Sequence, residues 1–233
     1  MVLTGNTTCL VLTGNTLVKA KDDKMSLIAG SEPCADALAI NAGAPATRVP
    51  PRERIVKVAR DLFYERGVRA VGVEEIAEVA GTNKMTLYRH FPSKDELVAE
   101  CLRQFAKKAD VLWDELAATH PDDPRGELKA WLEAMREHIV TTGGRGCALA
   151  NAAVELREKD HPARKVIEAV KCAQRDRLVR LCHAAKLDEP EFLADELFLL
   201  IEGARVSAQS IGRDGPAARL VLMGEAIIAS HAR

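Results

Sequence analysis

The sequence has few aromatic residues and no long apolar run. Phe, Trp and Tyr make up 4% of its 233 residues, whereas hydrophobic residues as a whole make up 47%. Few aromatics together with many Ala and Leu residues favour helices over a β-sandwich. No apolar stretch approaches the roughly 18 residues that a membrane helix needs, which excludes a membrane span. The charged fraction of 29% is ordinary for a globular protein and argues against a wholly disordered chain.

Paired-cysteine and zinc-finger motifs are also missing. The sequence predicts no metal site and no cofactor, because its six cysteines form no C-x-x-C pair and none has zinc-finger spacing to histidine. Four of the six lie in apolar helical patterns, which favours small buried side chains in a reducing compartment. The six are Cys9, Cys34, Cys101, Cys147, Cys172 and Cys182. A redox sensor is the alternative, with Cys147 as its best candidate, because it follows Gly143, Gly144 and Gly146 at a predicted helix N-terminus, which favours a reactive thiolate.

The net charge is close to zero, but the charges are unevenly distributed. Residues 48–108 hold 13 Lys and Arg against 9 Asp and Glu, a net charge of +4. Residues 109–233 hold 17 against 21, a net charge of −4. A basic segment in a nearly neutral chain indicates a local anionic partner rather than general attraction to polyanions.

Residues 1–47 differ from the rest of the sequence. The hexamer VLTGNT occurs twice, at 2–7 and 11–16, and the segment has no helical periodicity. It does not resemble a signal peptide, because no basic residues precede an apolar stretch. We predict a mostly disordered tail over 1–47, with Met25 as an alternative start of the native protein.

From Pro51 onward a nearly continuous helical pattern predicts an all-α fold of about nine helices without strands. The first helix has one apolar stripe and ends at Gly67. The sixth is predicted over about 147–157 and the last over about 217–230. Capping signals for the fourth, fifth, seventh and eighth helices are Ser93 with Glu96, Asp123 before Pro124, Asp160-His161-Pro162 and Asp188-Glu189-Pro190-Glu191. We divide the helical part into an N-terminal domain of three helices at 48–100 and a larger helical domain at 101–233.

Residues 73–91 read VEEIAEVAGTNKMTLYRHF, the pattern of two short helices around a tight turn. Apolar residues give the first helix one buried face, and Gly81 tolerates the unusual φ of the turn. On the second helix Leu87 and Phe91, four residues apart, can pack inward. The residues left facing outward are Lys84, Met85, Tyr88 and Arg89. This pattern predicts a helix-turn-helix that reads the major groove of DNA, with a supporting helix before it.

Residues 52–100 resemble the DNA-binding domain of the TetR family of bacterial transcriptional regulators. Three ordered motifs carry the resemblance: A-x-x-L-F-x-x-x-G from Ala59 to Gly67, I-A-x-x-A-G from Ile76 to Gly81, and T-L-Y-x-H-F-x-x-K-x-x-L from Thr86 to Leu97. The chain departs from the family at two places. It has Val71-Gly72 where Thr or Ser usually precedes the second helix, and Met85 where a small residue is common.

The resemblance implies that Tyr88, His90 and Lys94 contact DNA phosphates and that the start of the recognition helix lies near base edges. The predicted DNA-binding residues are Thr82, Asn83, Lys84, Met85, Thr86, Tyr88, Arg89, His90 and Lys94. The alternative is that Tyr88 and His90 are ordinary surface or packing residues. Arg48 and Arg52 could reach an adjacent groove or phosphate, although a solvated face explains them as well.

The resemblance also implies that the helices beyond about residue 105 bind an effector and form a dimer. The pocket candidates are Trp113, Trp131, Met135, His138, Cys147 and Asn151, although such residues, taken singly, are more often core or capping residues. The dimer candidates are Leu193, Leu197, Ile201, Ala204 and Ala208 on the eighth helix, and Leu220, Val221, Gly224 and Ile228 on the ninth. The alternative is that both stripes face the core of their own chain.

The leading hypothesis is a homodimeric, ligand-responsive transcriptional regulator of the bacterial cytoplasm and nucleoid. It would act as a repressor that binds a palindromic DNA operator and is released by a small molecule. The alternative is an all-α ligand-binding protein or enzyme without DNA-binding function. Against an enzyme, the sequence has no catalytic set of nucleophile, base and orienting group, and no phosphate loop.

Overall fold

The computed structural model of the protein describes residues 49–141 and 145–232. Over these ranges the chain forms nine α-helices and one short 3-10 helix, and none of their residues is in a β-strand, so the predicted all-α fold is confirmed. The predicted tail, Arg48, Cys9, Cys34, Gly143 and Gly144 lie outside the described residues. The helices are α1 (Pro51–Arg66), α2 (Val73–Val79), α3 (Lys84–His90), α4 (Lys94–Thr119), α5 (Pro124–Thr141), α6 (Ala148–Glu155), α7 (Pro162–Ala184), α8 (Pro190–Ile211) and α9 (Leu220–Ser230).

Local signals in the sequence set several helix ends. α1 ends where Gly67 adopts a φ of 86°, a left-handed conformation that favours glycine. The side-chain oxygen of Ser93 accepts a hydrogen bond from the N–H of Glu96 at 3.1 Å, as predicted for the start of α4. Asp123 caps α5 in the same way, accepting from the N–H of Gly126 at 2.9 Å.

The structure differs from the predicted helices in three details. α6 ends at Glu155 rather than near residue 157, because Leu156 turns to an extended conformation and is buried in the core. α8 begins after the predicted signal, but Glu189 makes no side-chain cap and has a left-handed φ of 47°. The first turn of the last predicted helix is a separate 3-10 helix, Pro216–Arg219, a tighter turn often found beside α-helices.

The first hydrophobic cluster joins the helix-turn-helix region to the middle of the chain. Ile55, Ile76, Leu87 and Leu97, from α1 to α4, are fully buried in it. It continues into α6 and the start of α7 through Leu149, Ala152, Leu156, Ala163 and Ile167. The core therefore runs through the boundary predicted between residues 100 and 101, and that division into domains stays a prediction.

The second hydrophobic cluster lies among the C-terminal half of α4, α5, the C-terminal half of α7, α8 and α9. Leu128 and Leu132 of α5 are fully buried there, as are Leu193 and Leu197 of α8. α9 packs directly on α5, because Gly224 lies opposite Leu132 and has no Cβ between the two helices.

Replacing Gly224 with alanine should destabilise the protein, because the new Cβ would lie 2.6 Å and 2.7 Å from the two terminal methyl carbons of Leu132. Leu132 is fully buried and has little freedom to move. Overpacking of this kind costs about 1–3 kcal/mol of unfolding free energy, more than the helix propensity gained by replacing glycine, and urea denaturation would measure it.

The variant Leu132→Ala provides the control. It removes the methyl groups that the new Cβ meets, so Gly224→Ala should be neutral or stabilising in that background. The same loss in both backgrounds would contradict a clash between α9 and α5.

Candidate nucleic-acid interface

α2 and α3 form a compact helix-turn-helix whose turn is fixed by local hydrogen bonds. Gly81 has a φ of 61°, as the sequence predicts for the turn. The N–H of Thr82 donates to the carbonyl oxygen of Ala77 at 2.9 Å and closes the end of α2. Asn83 caps α3, since its side-chain oxygen accepts from the N–H of Thr86 at 2.8 Å. The angle between the helices is therefore set before any partner binds.

The inner face of this motif is apolar and the outer face is polar and open. Leu87 of α3 is fully buried, and α1 steadies the turn, because a guanidinium nitrogen of Arg54 donates to the carbonyl oxygen of Gly81 at 3.4 Å. Thr82 and Thr86 are half-buried. The residues predicted to face outward, Lys84, Met85, Tyr88 and Arg89, are all exposed, as are the predicted DNA-binding residues Asn83 and His90. Met85 has 76% of its surface exposed.

Lys84 has a partner that sequence reasoning missed. Its Nζ forms an ion pair with Oε1 of Glu74 on α2, and it lies 6.0 Å from the ring centroid of Tyr88. The hydrogen bond to Glu74 raises the pKa of Lys84, and the same hydrogen bond lowers the pKa of Glu74. Ten residues separate the pair in the sequence, so only the fold of the turn brings the two side chains together.

Lys94 and Arg52 lie beside the motif in different environments. Lys94 is the first residue of α4 and half-buried, and its Nζ lies 5.9 Å from the ring centroid of Phe63. Desolvation lowers the pKa of Lys94. A cation at a helix N-terminus interacts unfavourably with the helix dipole. The position of Lys94 therefore favours a role other than stabilising α4. Arg52 instead pairs with Glu100 at 3.1 Å, which engages it within its own chain.

Three of the six pocket candidates converge in one cavity. The rings of Trp113 and Trp131 stack with centroids 5.4 Å apart and planes at 12°. Together with Met135 they line a cavity of about 50 Å³ between α4, α5, α7 and α8. Arg205 and Glu202 also line it, and sequence reasoning missed both. A possible signal was the pair of charges inside the apolar pattern of the eighth helix.

The other three pocket candidates lie elsewhere. Asn151 lines a smaller cavity of about 20 Å³ between α1, α4 and α6. Cys147 precedes α6, with its sulfur 3.7 Å from the Nζ of Lys171. His138 lines neither cavity, and its pKa is lowered, first by desolvation and then by the charge of Arg205.

The described cysteines do not share one environment. Cys101 and Cys182 are buried as predicted, and burial raises the pKa of each thiol to about 12. Cys172 is exposed, so the prediction of a buried side chain is wrong there, and Cys147 is half-buried. Cys172 is exposed because its position on α7 faces away from the helix's packed side.

The predicted dimer residues lie mostly in the core of their own chain. Seven of the nine are buried: Leu193, Leu197, Ile201, Ala204, Ala208, Leu220 and Gly224. Val221 and Ile228 are half-buried and pack against the same cluster. Apart from Ile211 at the C-terminal end of α8, these helices have five large exposed apolar residues, which we call the outer stripe: Phe192, Leu199 and Val206 on α8, and Leu222 and Met223 on α9. The first three recur every seven residues and so share one side of α8.

Among the described residues, no group of three or more His, Cys, Asp or Glu side chains is arranged to hold a metal ion. No helix in the described ranges is long and apolar enough to cross a membrane.

These elements define a helix-turn-helix protein with a larger helical part behind the motif. Residues 55–101 match the family described as bacterial regulatory proteins, tetR family. This match confirms the resemblance of residues 52–100 to that family, which the three motifs carry.

Two curated relatives and one solved structure are similar to this chain. The HTH-type transcriptional repressor KstR2 of Rhodococcus jostii (strain RHA1) is 35% identical over 105 residues, which cover 45% of this chain and 47% of that protein. The HTH-type transcriptional activator FasR of Mycolicibacterium smegmatis is 36% identical over 95 residues, covering 40% of this chain and 43% of that protein. The alignments thus span about half the length of these curated relatives or less. A tetR-family transcriptional regulator from Streptomyces coelicolor superposes with a TM-score of 0.73 at 24% identity, covering 78% of this chain and 96% of that one, and therefore shares the fold.

Proposed function

We propose that this protein is a ligand-responsive transcriptional repressor that binds a palindromic DNA operator as a homodimer and is released by a small molecule. The observation that carries the proposal is the outer face of α3, where a short, rigidly capped helix exposes Lys84, Met85, Tyr88 and Arg89. Such a helix fits the major groove, and its first residues approach base edges. We also propose that the protein acts in the bacterial cytoplasm, on the nucleoid.

The proposed contacts divide into two kinds. Lys84, Met85 and Thr86, in the first turn of α3, would lie at base edges, where lysine can donate to the O6 and N7 of guanine and methionine can contact a thymine methyl group. Tyr88, His90 and Lys94 would donate to phosphates and fix the position of α3 without reading sequence.

The proposed dimer uses the outer stripe. Two copies of α8 and α9 related by a two-fold axis would form a four-helix bundle. This arrangement removes five large exposed apolar side chains per chain from water, which supports it energetically. A two-fold dimer also presents two copies of α3, as a palindromic operator with half-sites about 34–36 Å apart requires.

An electrophoretic shift with the DNA upstream of the protein's own gene tests the proposal. We expect a discrete complex whose affinity falls steeply with salt, because each neutralised phosphate contributes a slope of about −0.9 in a plot of log K against log salt concentration. Binding no stronger than to random DNA, on this and on neighbouring promoters, would favour the alternative of a ligand-binding protein or enzyme without DNA-binding function. Because KstR2 is a repressor and FasR an activator, transcription in vitro from the bound promoter would test the direction of control.

Glu74→Gln should tighten DNA binding. In the free protein Glu74 pairs with Lys84, and its carboxylate would lie near the DNA backbone once α3 is in the groove. The pair is exposed and therefore weak, so we expect a gain of at most about fivefold at low salt, on operator and random DNA alike.

Two controls isolate this effect. Glu225→Gln breaks a similar exposed pair with Lys129, 2.9 Å apart on α9 and α5, and should leave affinity unchanged. In a Lys84→Ala background, the gain from Glu74→Gln should shrink to the part due to repulsion between Glu74 and phosphate. A gain equally large with Glu225→Gln would mean that net charge alone is responsible.

A further inference from the structure

The cavity lined by Trp113 and Trp131 has more positive than negative charge at one end, which we call its inner end and which lies beside Glu202 and Arg205. Lys171 and Arg205 both bond to a single oxygen, Oε1 of Glu202, at 2.8 Å and 2.7 Å. All three side chains are mostly buried, with 15–26% of their surfaces exposed. Two cations therefore share one carboxylate, and one positive charge is left in surroundings of low polarity.

Arg205, which lines the cavity, also has a donor with only a weak partner. Its Nη1 bonds to Glu202, whereas its Nη2 lies against the sulfur of Met135 at 3.5 Å. A thioether is a weak acceptor, and among the described residues no oxygen is recorded as a partner of Nη2. A guanidinium fork with one strong and one weak partner is suited to receive a carboxylate from a ligand.

The remaining walls are apolar and largely aromatic. The stacked Trp113 and Trp131, with Phe198 and Leu178, surround the space in front of Arg205. Flat walls of this kind favour a planar ring, which packs against them over its whole face or edge.

A neighbouring groove gives the cavity a route to solvent. The groove, about 190 Å³, lies between α4 and α7 and shares the walls Ala109, Trp113 and Gln174 with the cavity of about 50 Å³. At its mouth Arg177 lies over Trp113 but is paired with Asp114 at 3.3 Å. The Arg177–Asp114 pair is close to neutral and Asp110 adds one negative charge to the groove, whereas the end of the cavity beside Arg205 is positive. These dimensions suit a molecule of one or two rings rather than a long chain.

We propose that this cavity binds a small planar aromatic carboxylate, with its ring beside Trp113 and Trp131 and its carboxylate on Arg205. The inference deepens the effector role proposed above and depends on it for its regulatory meaning. Glu202 competes with the ligand for the two cations, which gives the site a property that a mere packing cavity lacks: removing Glu202's charge should strengthen binding.

The test uses the full chain and two probe pairs, benzoate against benzamide and 2-naphthoate against 2-naphthamide. The sequence has two tryptophans and both line this cavity, so tryptophan emission reports on it directly, and calorimetry gives the dissociation constants. We expect at least one carboxylate to bind about tenfold or more tightly than its carboxamide, because a hydrogen-bonded charge pair replaces a neutral contact.

Variants give the sharper result. Arg205→Gln should reduce the carboxylate preference to about one, and Arg205→Lys should keep part of it. Glu202→Gln should strengthen carboxylate binding several-fold without changing carboxamide binding. Arg219→Gln removes an equal charge from an exposed position at the end of the 3-10 helix. It should change neither carboxylate binding nor carboxamide binding. If Arg205→Gln fails to fold, the direction of the Glu202→Gln effect still decides.

The inference is overturned if no probe binds, if carboxamides bind as tightly as carboxylates, or if Glu202→Gln fails to strengthen carboxylate binding. Operator binding by the same wild-type preparation separates this result from the proposed function. An operator complex without probe binding refutes the carboxylate site alone. Probe binding without an operator complex refutes the regulator alone.

Discussion

Leu199→Asp should convert the protein to monomers and abolish tight operator binding while leaving the chain folded. Leu199 lies in the outer stripe, 68% exposed, between Phe192 and Val206. In a two-fold interface the substitution occurs twice, and each new carboxylate is buried without a partner at a cost of several kcal/mol. Since about 1.4 kcal/mol is a factor of ten, the dimer dissociation constant should rise at least about 100-fold.

Light scattering and operator shift at micromolar protein concentration measure the two effects, with circular dichroism as the check on folding. Val111→Asp is the matched control, because Val111 is a similarly exposed apolar residue on α4, whose main contacts are with α1, α5, α6 and α7. It should remain dimeric. Leu197→Asp should instead unfold the chain, because Leu197 is fully buried in the second cluster. A dimeric Leu199→Asp protein would contradict the outer stripe as the interface.

The contrast between Leu197 and Leu199 shows what hydrophobic periodicity can and cannot predict. α8 is apolar on more than one side, so its sequence contains two apolar stripes. Periodicity alone does not predict which of the two packs on the chain's own core. The choice depends on where α5, α7 and α9 lie. The alternative that Leu193, Leu197 and Ile201 face their own core agrees with their burial, whereas their role in a dimer stays a prediction.

Local features could be predicted because their causes lie within a few residues. The two short helices within residues 73–91, the turn at Gly81 and the cap at Ser93 depend on neighbours in the sequence, and the predictions for them are confirmed. The outward direction of Met85 and Tyr88 follows from the helical period once Leu87 is placed inside.

Long-range partners could not be predicted in the same way. Arg205 and Met135 are 70 residues apart, and the contact between them depends on how α5 and α8 cross. His138 and Met135 are three residues apart, yet only Met135 lines the cavity with the tryptophans. Of the six pocket candidates that the resemblance implied, only three therefore line one cavity, because side-chain direction is decided by tertiary packing.

The proposed effector response has a physical route in these contacts. Residues 146–155, which include α6, contact the N-terminal helical region twice: the hydroxyl of Tyr64 donates to the carbonyl oxygen of Gly146 at 3.2 Å, and the N–H of Arg69 donates to the carboxylate of Glu155 at 3.1 Å. α4 and α7 form the walls of the cavity at one end and enter the first cluster at the other. A ligand that separates α4 from α7 would therefore move the support of α1–α3.

Lys84→Ala should reduce operator affinity by about 1–3 kcal/mol per half-site and relax the preference at one base pair of each half-site. Lys94→Ala and Tyr88→Phe should weaken operator and random DNA alike, because phosphate contacts carry no sequence information. Lys94→Ala should also make the salt slope shallower by about 1 per half-site. Titrations of operator, single-base variants and random DNA at several salt concentrations measure all three effects.

Lys129→Ala is the control for loss of an exposed, ion-paired lysine and should change neither affinity nor salt slope. The distinction between Lys84 and Lys94 rests on position: Lys84 begins the exposed helix α3, whereas Lys94 begins α4 and packs beside Phe63 at the edge of the motif. If Lys84→Ala lowered affinity for operator and random DNA by the same factor, its ammonium group would be a phosphate contact. Sequence readout would then have to come from Met85, Thr86 and Arg89, the exposed or half-buried side chains on α3 that are not proposed as phosphate contacts.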